Sequence, residues 1–109
     1  FVGFTVWCPL HKSNKYYGGL ALIPNSHKYG WVTTYKEKNN KIGKSDSYIV
    51  STNVLKNKKN KFKIINCNKG DAILFNTMLI HKSIPNYSSF CRFTVQYRFA
   101  VNNALNFLK

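Results

Sequence analysis

The sequence predicts a mainly β fold made of short antiparallel strands, and three observations support this prediction. Runs rich in aromatic and β-branched residues recur along the 109 residues, and clusters of Asn, Gly, Pro and Ser separate them. No segment has the periodicity of a long amphipathic helix. No internal repeat or heptad pattern is present. Many short strands separated by turn residues are typical of a barrel or a jelly roll.

The N-terminal half contains two predicted strands followed by a long polar segment. Residues 1–10 are predicted to form the first strand, and residues 20–27 a short buried strand that Pro24 stops. Residues 28–60 are polar and rich in Lys and Asn, so we predict an insertion loop there, a candidate lid over a binding site. Within this segment, residues 46–55 fit either a short strand or one helical turn.

The C-terminal half is predicted to contain three further strands. They cover residues 61–67, 72–79 and 90–100, and the last of these has the clearest alternation of polar and apolar residues. Asn, Lys, Gly and Asp at 68–71 indicate a turn, and Pro and Asn within 84–89 turn the chain again before the final strand.

The chain is strongly basic, with 17 Lys and Arg against 3 Asp and Glu and a net charge of +14. Such an excess fits a protein that binds nucleic acid or another anionic surface. The lysines, however, are scattered and accompany many Asn, Ile, Tyr and Phe residues, as compositional drift would produce. We therefore do not expect a nucleic-acid partner. No apolar run is long enough to form a membrane-spanning helix.

The three cysteines, Cys8, Cys67 and Cys91, are far apart and include no Cys-x-x-Cys pair. Their odd number and their spacing are typical of reduced thiols in a cytoplasmic protein, rather than of a disulfide framework or a zinc site. No signal peptide is visible, and Phe1 lies within a predicted strand, so we expect the chain to be part of a longer protein. The sequence does not indicate an oligomeric state.

The final predicted strand has one apolar side and one polar side. The polar side consists of Arg92, Thr94, Gln96 and Arg98. If a tight hairpin joins this strand to the preceding one, with its turn centred between residues 87 and 88, Ser83 lies opposite Arg92. In the same register His81 lies opposite Thr94, and all four side chains point to one side.

An imidazole, a hydroxyl and a guanidinium would then share one small volume. A neutral imidazole can bind a metal ion, and a guanidinium beside a hydroxyl can hold a carboxylate by several hydrogen bonds. This combination predicts a keto acid that is bound to a metal at one end and clamped at the other. An ordinary solvent-exposed sheet face is the alternative interpretation, because antiparallel sheets often have one polar side.

Four segments, taken in chain order, carry a resemblance to a known family. They are VWCPL at 6–10, YGGLALIPNSHKYG at 17–30, KGDAILFNTMLIHKSIPN at 69–86 and CRFTVQYRFA at 91–100. Together with the spacing of eleven residues between His81 and Arg92, they resemble the phytanoyl-CoA dioxygenase family of Fe(II)- and 2-oxoglutarate-dependent oxygenases.

The resemblance implies a double-stranded β-helix, a cupin-like jelly roll, of which residues 1–109 would be the C-terminal portion. His81 would be the distal histidine of a 2-His-1-carboxylate iron site, and therefore both a metal ligand and a catalytic residue. Arg92 and Ser83 would bind the far carboxylate of 2-oxoglutarate, and Trp7 would line the same pocket. The implied reaction is the hydroxylation of a small organic substrate by O₂, with 2-oxoglutarate as cosubstrate.

The chain departs from the family pattern at two points. Asn25 stands where the family has Gly, within a turn that the resemblance places near the mouth of the site and that includes Pro24, Ser26 and His27. Asn is the best substitute for Gly where the backbone has a positive φ. The His-x-Asp/Glu motif that would supply the other two iron ligands is absent, and truncation before Phe1 is the simplest explanation.

Glu37, Asp46 and Asp71 are the only acidic side chains of the chain, and we expect none of them to bind the iron. Asp71 lies at the opposite end of a predicted strand from His81, and the other two lie in the polar segment. Residues 1–109 by themselves are therefore expected to be catalytically inactive.

Two further functions remain open from the sequence. A halogenase relative would have a small residue in place of the triad carboxylate, which leaves room for a halide on the iron. A non-catalytic jelly-roll module for an anionic ligand would need no missing motif. It would, however, leave the joint placement of His81, Ser83 and Arg92 unexplained.

Overall fold

The computed structural model describes residues 3–38, 47–57 and 61–100, and most of their regular structure is β. The strands are β1 (Gly3–Pro9), β2 (Gly19–Leu22), β3 (Thr34–Glu37), β4 (Ser47–Val50), β5 (Lys63–Ile64), β6 (Ile73–Asn76), β7 (His81–Ile84) and β8 (Thr94–Ala100). A 3-10 helix at Ser26–Tyr29 and the single-turn helix α1 (Thr52–Leu55) are the helical elements of this part of the chain. None of its helices is long and apolar enough to cross a membrane.

Six of the strands form two antiparallel, three-stranded sheets. The first sheet has the order β6–β1–β8 and the second the order β5–β2–β7. The longest strands, β1 and β8, are rich in aromatic and β-branched residues, which favour extended backbone. The prediction of a mainly β, jelly-roll-like fold is confirmed.

The core lies between the inner faces of these two sheets. Trp7 of β1, Leu20 of β2 and Phe75 of β6 pack together with Cys67 and Leu79. Burial raises the pKa of the Cys67 thiol, and the negative charge of the nearby Asp71 raises it further. The thiol therefore behaves as a small, neutral core group.

The polar side of β8 lies on the inner face of its sheet. Thr5 is paired with Arg98, and Trp7 is paired with Gln96. Directly paired residues project from the same side of a sheet, and Thr5 and Trp7 are only 3% and 4% exposed. This register places Gln96 and Arg98 on the inner face of the sheet, although both side chains are exposed within the described residues.

The apolar side of β8 forms part of the outer face of the same sheet. Phe99 stacks on Phe4 of β1 with ring centroids 4.8 Å apart, and Tyr97 and Leu74 also lie exposed there. Within the described residues this apolar face is not covered, so the apolar side of the strand is not the side that packs in the core.

The predicted hairpin between the last two strands is wrong. β7 pairs with β2 in the second sheet, whereas β8 pairs with β1 in the first. Ser83 therefore lies opposite Leu20 rather than Arg92, and His81 lies opposite Leu22 rather than Thr94.

The sequence between these strands explains why they separate. A two-residue hairpin turn favours pairs such as Asn-Gly, and Tyr87–Ser88 is not such a pair. Instead, Asn86 organises a wider loop: its Nδ2 donates to the carbonyl of Phe90 at 2.6 Å, and its Oδ1 accepts from the amide of Ser88 at 2.9 Å. The loop carries the chain from one sheet to the other.

Part of the segment at 28–60 has regular structure. β3 and β4 form an antiparallel hairpin, and α1 follows it, so residues 47–55 contain both a strand and a helical turn. The sequence did not predict β3, because all of its side chains are exposed and show no apolar alternation.

Candidate functional site

His81 begins β7, and a backbone carbonyl fixes its imidazole. Its Nδ1 lies 2.7 Å from the carbonyl oxygen of Leu79, so Nδ1 carries the ring proton and donates it. In the neutral ring Nε2 then keeps its lone pair. The ring of Phe75 packs against the imidazole, with the two ring centroids 5.0 Å apart. A bond from the second ring nitrogen to a carbonyl is the usual way in which a metal-binding histidine is oriented.

A buried serine supports the strand that carries His81. Ser26 has no solvent exposure, and its Oγ accepts a hydrogen bond of 2.8 Å from the amide of Ile80. The carbonyl of Ile80 accepts a second bond, of 2.9 Å, from the amide of Ile23. Ile80, directly before His81, therefore has both its backbone amide and its backbone carbonyl hydrogen-bonded.

Asn25 gives this supporting turn its shape. Its φ is 63° and its ψ is 2°, which is left-handed backbone. Asn accepts this conformation more readily than other residues with a side chain. The expectation that Asn replaces Gly at a position of positive φ is confirmed.

Two cavities share His81, Thr77 and Arg98 in their walls. The first has a volume of about 450 Å³, and Thr5, Gln96, Phe99 and Ala100 complete its wall. The second has a volume of about 610 Å³, and its wall includes Trp31 and Val32 before β3 and Tyr48 and Val50 of β4. Both volumes are typical of small-molecule binding sites.

Arg92 lies two residues before β8, and its side chain reaches the second sheet. Its Nη1 donates a hydrogen bond of 2.8 Å to the carbonyl oxygen of Gly19. Gly19 is paired with Ile84, and the next pair along the ladder is Leu20 with Ser83. The guanidinium therefore bonds to the residue next to the partner of Ser83. The hairpin that was predicted to bring Arg92 and Ser83 together does not form.

Trp7 belongs to the same buried cluster as Leu20 of β2, the strand that pairs with His81 and accepts the bond from Arg92. His81 is paired with Leu22, whereas Arg92 bonds to Gly19, three residues earlier on the same strand. These two points are about 10 Å apart along an extended strand. Trp7 packs in the core cluster with Leu20, which falls between them.

The described residues do not contain a complete metal site. No group of three or more His, Cys, Asp or Glu side chains in 3–38, 47–57 or 61–100 could hold a metal ion. Oδ2 of Asp71 accepts a hydrogen bond of 2.8 Å from the amide of Asn68 in the turn before β6. Glu37 ends β3 and is exposed, and Asp46 lies outside the described residues. Within the described residues, neither Asp71 nor Glu37 therefore joins His81 in a metal-binding group.

Two cavity residues, Gln96 and Arg98, had no role assigned from the sequence. Both belong to the polar side of the final strand, on which only Arg92 was expected to bind a ligand. In the last predicted strand, Gln96 and Arg98 project to the same side as Arg92, and this common side was the feature of the sequence that pointed to them. Their position beside His81 depends on the pairing of β8 with β1, which the sequence alone did not predict.

Residues 2–94 match the model of the family described as Phytanoyl-CoA dioxygenase (PhyH). No curated protein matches the chain, and no solved structure matches it. The matched residues include His81, Ser83 and Arg92 and end before Arg98. They also span the first three of the four segments that carry the resemblance. The chain belongs to the phytanoyl-CoA dioxygenase family.

Proposed function

We propose that this protein is an Fe(II)- and 2-oxoglutarate-dependent dioxygenase that hydroxylates a small organic substrate. The observation that carries the proposal is the fixed imidazole of His81, which borders two cavities in a member of an oxygenase family. The carbonyl of Leu79 occupies Nδ1 and leaves Nε2 for a metal ion. His81 is accordingly proposed as an iron ligand and catalytic residue.

Arg92 and Ser83 are proposed to bind the far carboxylate of 2-oxoglutarate, with Trp7 lining the space between. The terminal carbons of 2-oxoglutarate are about 5 Å apart, given C–C bonds of about 1.5 Å. The metal ion and the arginine side chain can span the rest of the roughly 10 Å between Leu22 and Gly19. One bond to Gly19 holds the guanidinium in place, and its remaining N–H groups can grip a carboxylate.

Iron, when bound, would supply the oxidation chemistry, in which O₂ oxidises the substrate while 2-oxoglutarate is converted to succinate and CO₂. The residues of this chain would bind and orient the iron and the 2-oxoglutarate. His81 holds one coordination position, and the carbonyl of Leu79 keeps its ring in one tautomer. Phe75 packs against its ring, and Trp7 belongs to the buried cluster that contains Phe75. The two further ligands are proposed to come from a His-x-Asp/Glu segment outside these 109 residues.

Residues 1–109 are proposed to be part of one double-stranded β-helix domain, with 28–60 as its insertion. The β3–β4 hairpin within this insertion borders a cavity together with His81, which suits a lid that closes over a substrate. A cytoplasmic location is proposed as well, and the free thiols of Cys8, Cys67 and Cys91 support it.

The test uses protein expressed from its complete gene and loaded with Fe(II) without oxygen. Isothermal titration gives the dissociation constant of 2-oxoglutarate. Arg92→Gln is expected to raise it about 10- to 100-fold, because hydrogen bonds to charged groups contribute about 1.5–3 kcal/mol. The control Lys82→Gln removes one charge from the opposite side of β7 and should leave the constant unchanged.

The same protein tests the iron ligand. His81→Ala is expected to abolish iron binding and 2-oxoglutarate-dependent succinate formation. His27→Ala is the matched control, because the family does not use this histidine as a ligand. Full succinate formation in His81→Ala, together with unchanged 2-oxoglutarate affinity in Arg92→Gln, would show that the site assignment is wrong.

The same protein preparation distinguishes the dioxygenase from the two alternative functions, an anion-binding module and a halogenase. A binding module for anions would bind a polyanion such as heparin with an affinity that falls steeply with salt, and it would not respond to 2-oxoglutarate. The net charge of +14 is the observation that favours this alternative. A halogenase would form a chlorinated product when chloride is supplied.

A further inference from the structure

His11 uses both of its ring nitrogens within the fold. Its Nδ1 lies 2.8 Å from the carbonyl oxygen of Lys12, and its Nε2 lies 3.0 Å from the backbone amide nitrogen of Phe93. A carbonyl oxygen only accepts hydrogen bonds and an amide N–H only donates them, so Nδ1 carries a proton and Nε2 carries none. The two bonds together therefore require one neutral tautomer of the imidazole.

The bond to Phe93 extends the contact between β1 and β8 beyond its last pair. That pair joins Pro9 to Thr94, and the amide of Leu10 then donates a hydrogen bond of 3.0 Å to the carbonyl of Phe93. The ring of Phe93 is exposed, so its side chain does not pack in the core. The backbone of Phe93 is thus held by its two hydrogen bonds, one to Leu10 and one to His11.

The peptide group that His11 holds is the one that follows Arg92. The N–H of Phe93 and the Cα of Arg92 belong to the same planar unit. A bond to that N–H therefore also orients the backbone from which the Arg92 side chain departs. The guanidinium at the other end of this side chain bonds to the carbonyl of Gly19. Arg92 is thus held through its backbone by His11 and through its guanidinium by Gly19.

The turn that contains His11 also holds the segment to which Arg92 bonds. Ser13, two residues after His11, is buried, and its Oγ donates a hydrogen bond of 3.1 Å to the carbonyl of Gly18. Gly18 directly precedes Gly19, whose carbonyl accepts from Arg92. Residues 11–13 therefore contact both the backbone after Arg92 and the segment that carries its acceptor.

We propose that His11 is a positioning residue for Arg92, and that only its neutral form keeps the guanidinium in place for an incoming carboxylate. The inference rests on the proposed oxygenase function, in which Arg92 binds the far carboxylate of 2-oxoglutarate. A second ring proton would occupy Nε2 and make it a donor that faces another donor, the amide of Phe93. Their bond would be lost, and the peptide after Arg92 would be released.

The charges around His11 act in the same direction. The titratable or charged residues of its own turn, of the segment before β8 and of the turn that pairs with Ser13 are Lys12, Cys67, Lys69, Asp71, Cys91 and Arg92. Within the described residues no carboxylate forms an ion pair with His11. Protonation would therefore add a positive charge between two residues that already carry one, Lys12 in sequence and Arg92 across the hydrogen bond.

Substitutions at His11 separate its hydrogen bonds from its ability to titrate. Protein from the complete gene is loaded with Fe(II) without oxygen, and isothermal titration gives its dissociation constant for 2-oxoglutarate. At about pH 8, His11→Ala is expected to raise this constant about 3- to 10-fold, because it removes a neutral hydrogen bond. His11→Gln should stay near the parent, since its amide oxygen can accept from Phe93 and its NH₂ can donate to Lys12.

The pH profile distinguishes positioning by a neutral imidazole from simple structural support. From about pH 8 to about pH 6, where histidine takes up a proton, the constant of the parent should rise about two- to fourfold relative to that of His11→Gln, which does not titrate. Protonation of His81 affects both proteins equally, so this ratio isolates His11. The matched control His27→Gln removes a histidine of the 3-10 helix and should keep the pH profile of the parent.

A double variant shows whether His11 acts through Arg92. Arg92→Gln lowers the affinity for 2-oxoglutarate by itself, and the addition of His11→Ala should lower it no further. The same loss from His11→Ala in both backgrounds would show that the imidazole supports the fold in general, and it would overturn the proposal. A parent whose pH profile matches that of His11→Gln would overturn it as well.

Nitrogen NMR of the same protein before iron is added tests the positioning without the cosubstrate. The amide of Phe93 and the guanidinium of Arg92 should shift as His11 titrates, and these shifts should be absent in His11→Gln. If they occur while the parent does not bind 2-oxoglutarate, the positioning role is supported and the oxygenase proposal fails. If they are absent while the parent binds 2-oxoglutarate, this inference is overturned and the oxygenase proposal stands.

Discussion

The Nη1 of Arg92 donates a hydrogen bond of 2.8 Å to the carbonyl oxygen of Gly19, 73 residues earlier in the chain. Arg92 lies two residues before β8 of the first sheet, and Gly19 begins β2 in the second. This bond therefore connects the two sheets at the place where the far carboxylate of 2-oxoglutarate is proposed to bind. A charged donor with a neutral carbonyl acceptor makes one of the stronger hydrogen bonds in proteins.

Gly19 is required at this position because a side chain has no room there. A Cβ on Gly19 would collide with Oγ of the buried Ser13. Gly19→Ala is expected to move the carbonyl that holds Arg92, to weaken 2-oxoglutarate binding and to destabilise the fold by about 1–3 kcal/mol. Chemical denaturation and titration with 2-oxoglutarate measure the two effects.

The double variant Ser13→Ala, Gly19→Ala tests the cause of this effect. Removal of Oγ relieves the collision, so the double variant should lose less stability than the two single changes add up to. Strict additivity would show that the collision with Ser13 is not the reason for glycine here.

Ser26 is expected to be a stability determinant of the strand with His81. Ser26→Ala removes the Oγ that accepts the Ile80 amide and leaves that amide buried without a partner. The free energy of unfolding should fall by about 1–3 kcal/mol. Urea denaturation measures the loss, and Ser89→Ala, at an exposed position, should change stability little. Equal effects of the two changes would contradict the supporting role of Ser26.

Asn25 offers a matched pair of substitutions at one backbone position. Its φ of 63° is costly for Ala and free of strain for Gly. Asn25→Ala should therefore lower the free energy of unfolding by about 1–2 kcal/mol, and Asn25→Gly should leave it nearly unchanged. Thermal denaturation of both variants measures the difference. A variant with Ala as stable as that with Gly would mean that the turn adopts another conformation.

The buried thiol of Cys67 makes stability depend on alkaline pH. Its pKa in the fold lies above the ordinary value of 9.0, so the unfolded chain releases this proton at lower pH than the folded chain. The stability associated with the neutral thiol is present below pH 9.0 and decreases as the pH rises toward the folded pKa. The stability advantage of the parent over Cys67→Ala should therefore narrow above pH 9.0.

Alkylation provides a direct measurement of the same property. Cys91 is exposed and Cys67 is buried, and the thiolate is the reactive species. Iodoacetamide at mildly alkaline pH should modify Cys91 well before Cys67, as peptide mass spectrometry can show. Equal rates at the two cysteines in the folded protein would contradict the burial and the raised pKa of Cys67.

Local patterns predicted most of the strands correctly, and their errors have physical causes. The alternation in 90–100 and the apolar run in 1–10 correspond to β8 and β1, although each observed strand is shorter than predicted. The predicted strand at 61–67 is reduced to the two residues of β5. There Cys67 pairs instead with Ser13 in an isolated bridge, a contact that no local pattern encodes.

The sequence by itself determined most of the strands and the chemical types gathered on one side of the last strand. These features depend on residues within a few positions of one another, where alternation and turn chemistry act. It also determined the family, because the segments that carry the resemblance are local patterns and the family match covers residues 2–94.

Only the tertiary structure decided which strands pair and therefore which side chains meet. β7 and β8 join different sheets because each strand buries a face against a distant partner, β2 for one and β1 for the other. That pairing places Arg98 rather than Arg92 in the cavities with His81, and it brings Arg92 to Gly19. Contacts of this kind depend on the burial of whole sheet faces, which is a property of the assembled chain and not of any local segment.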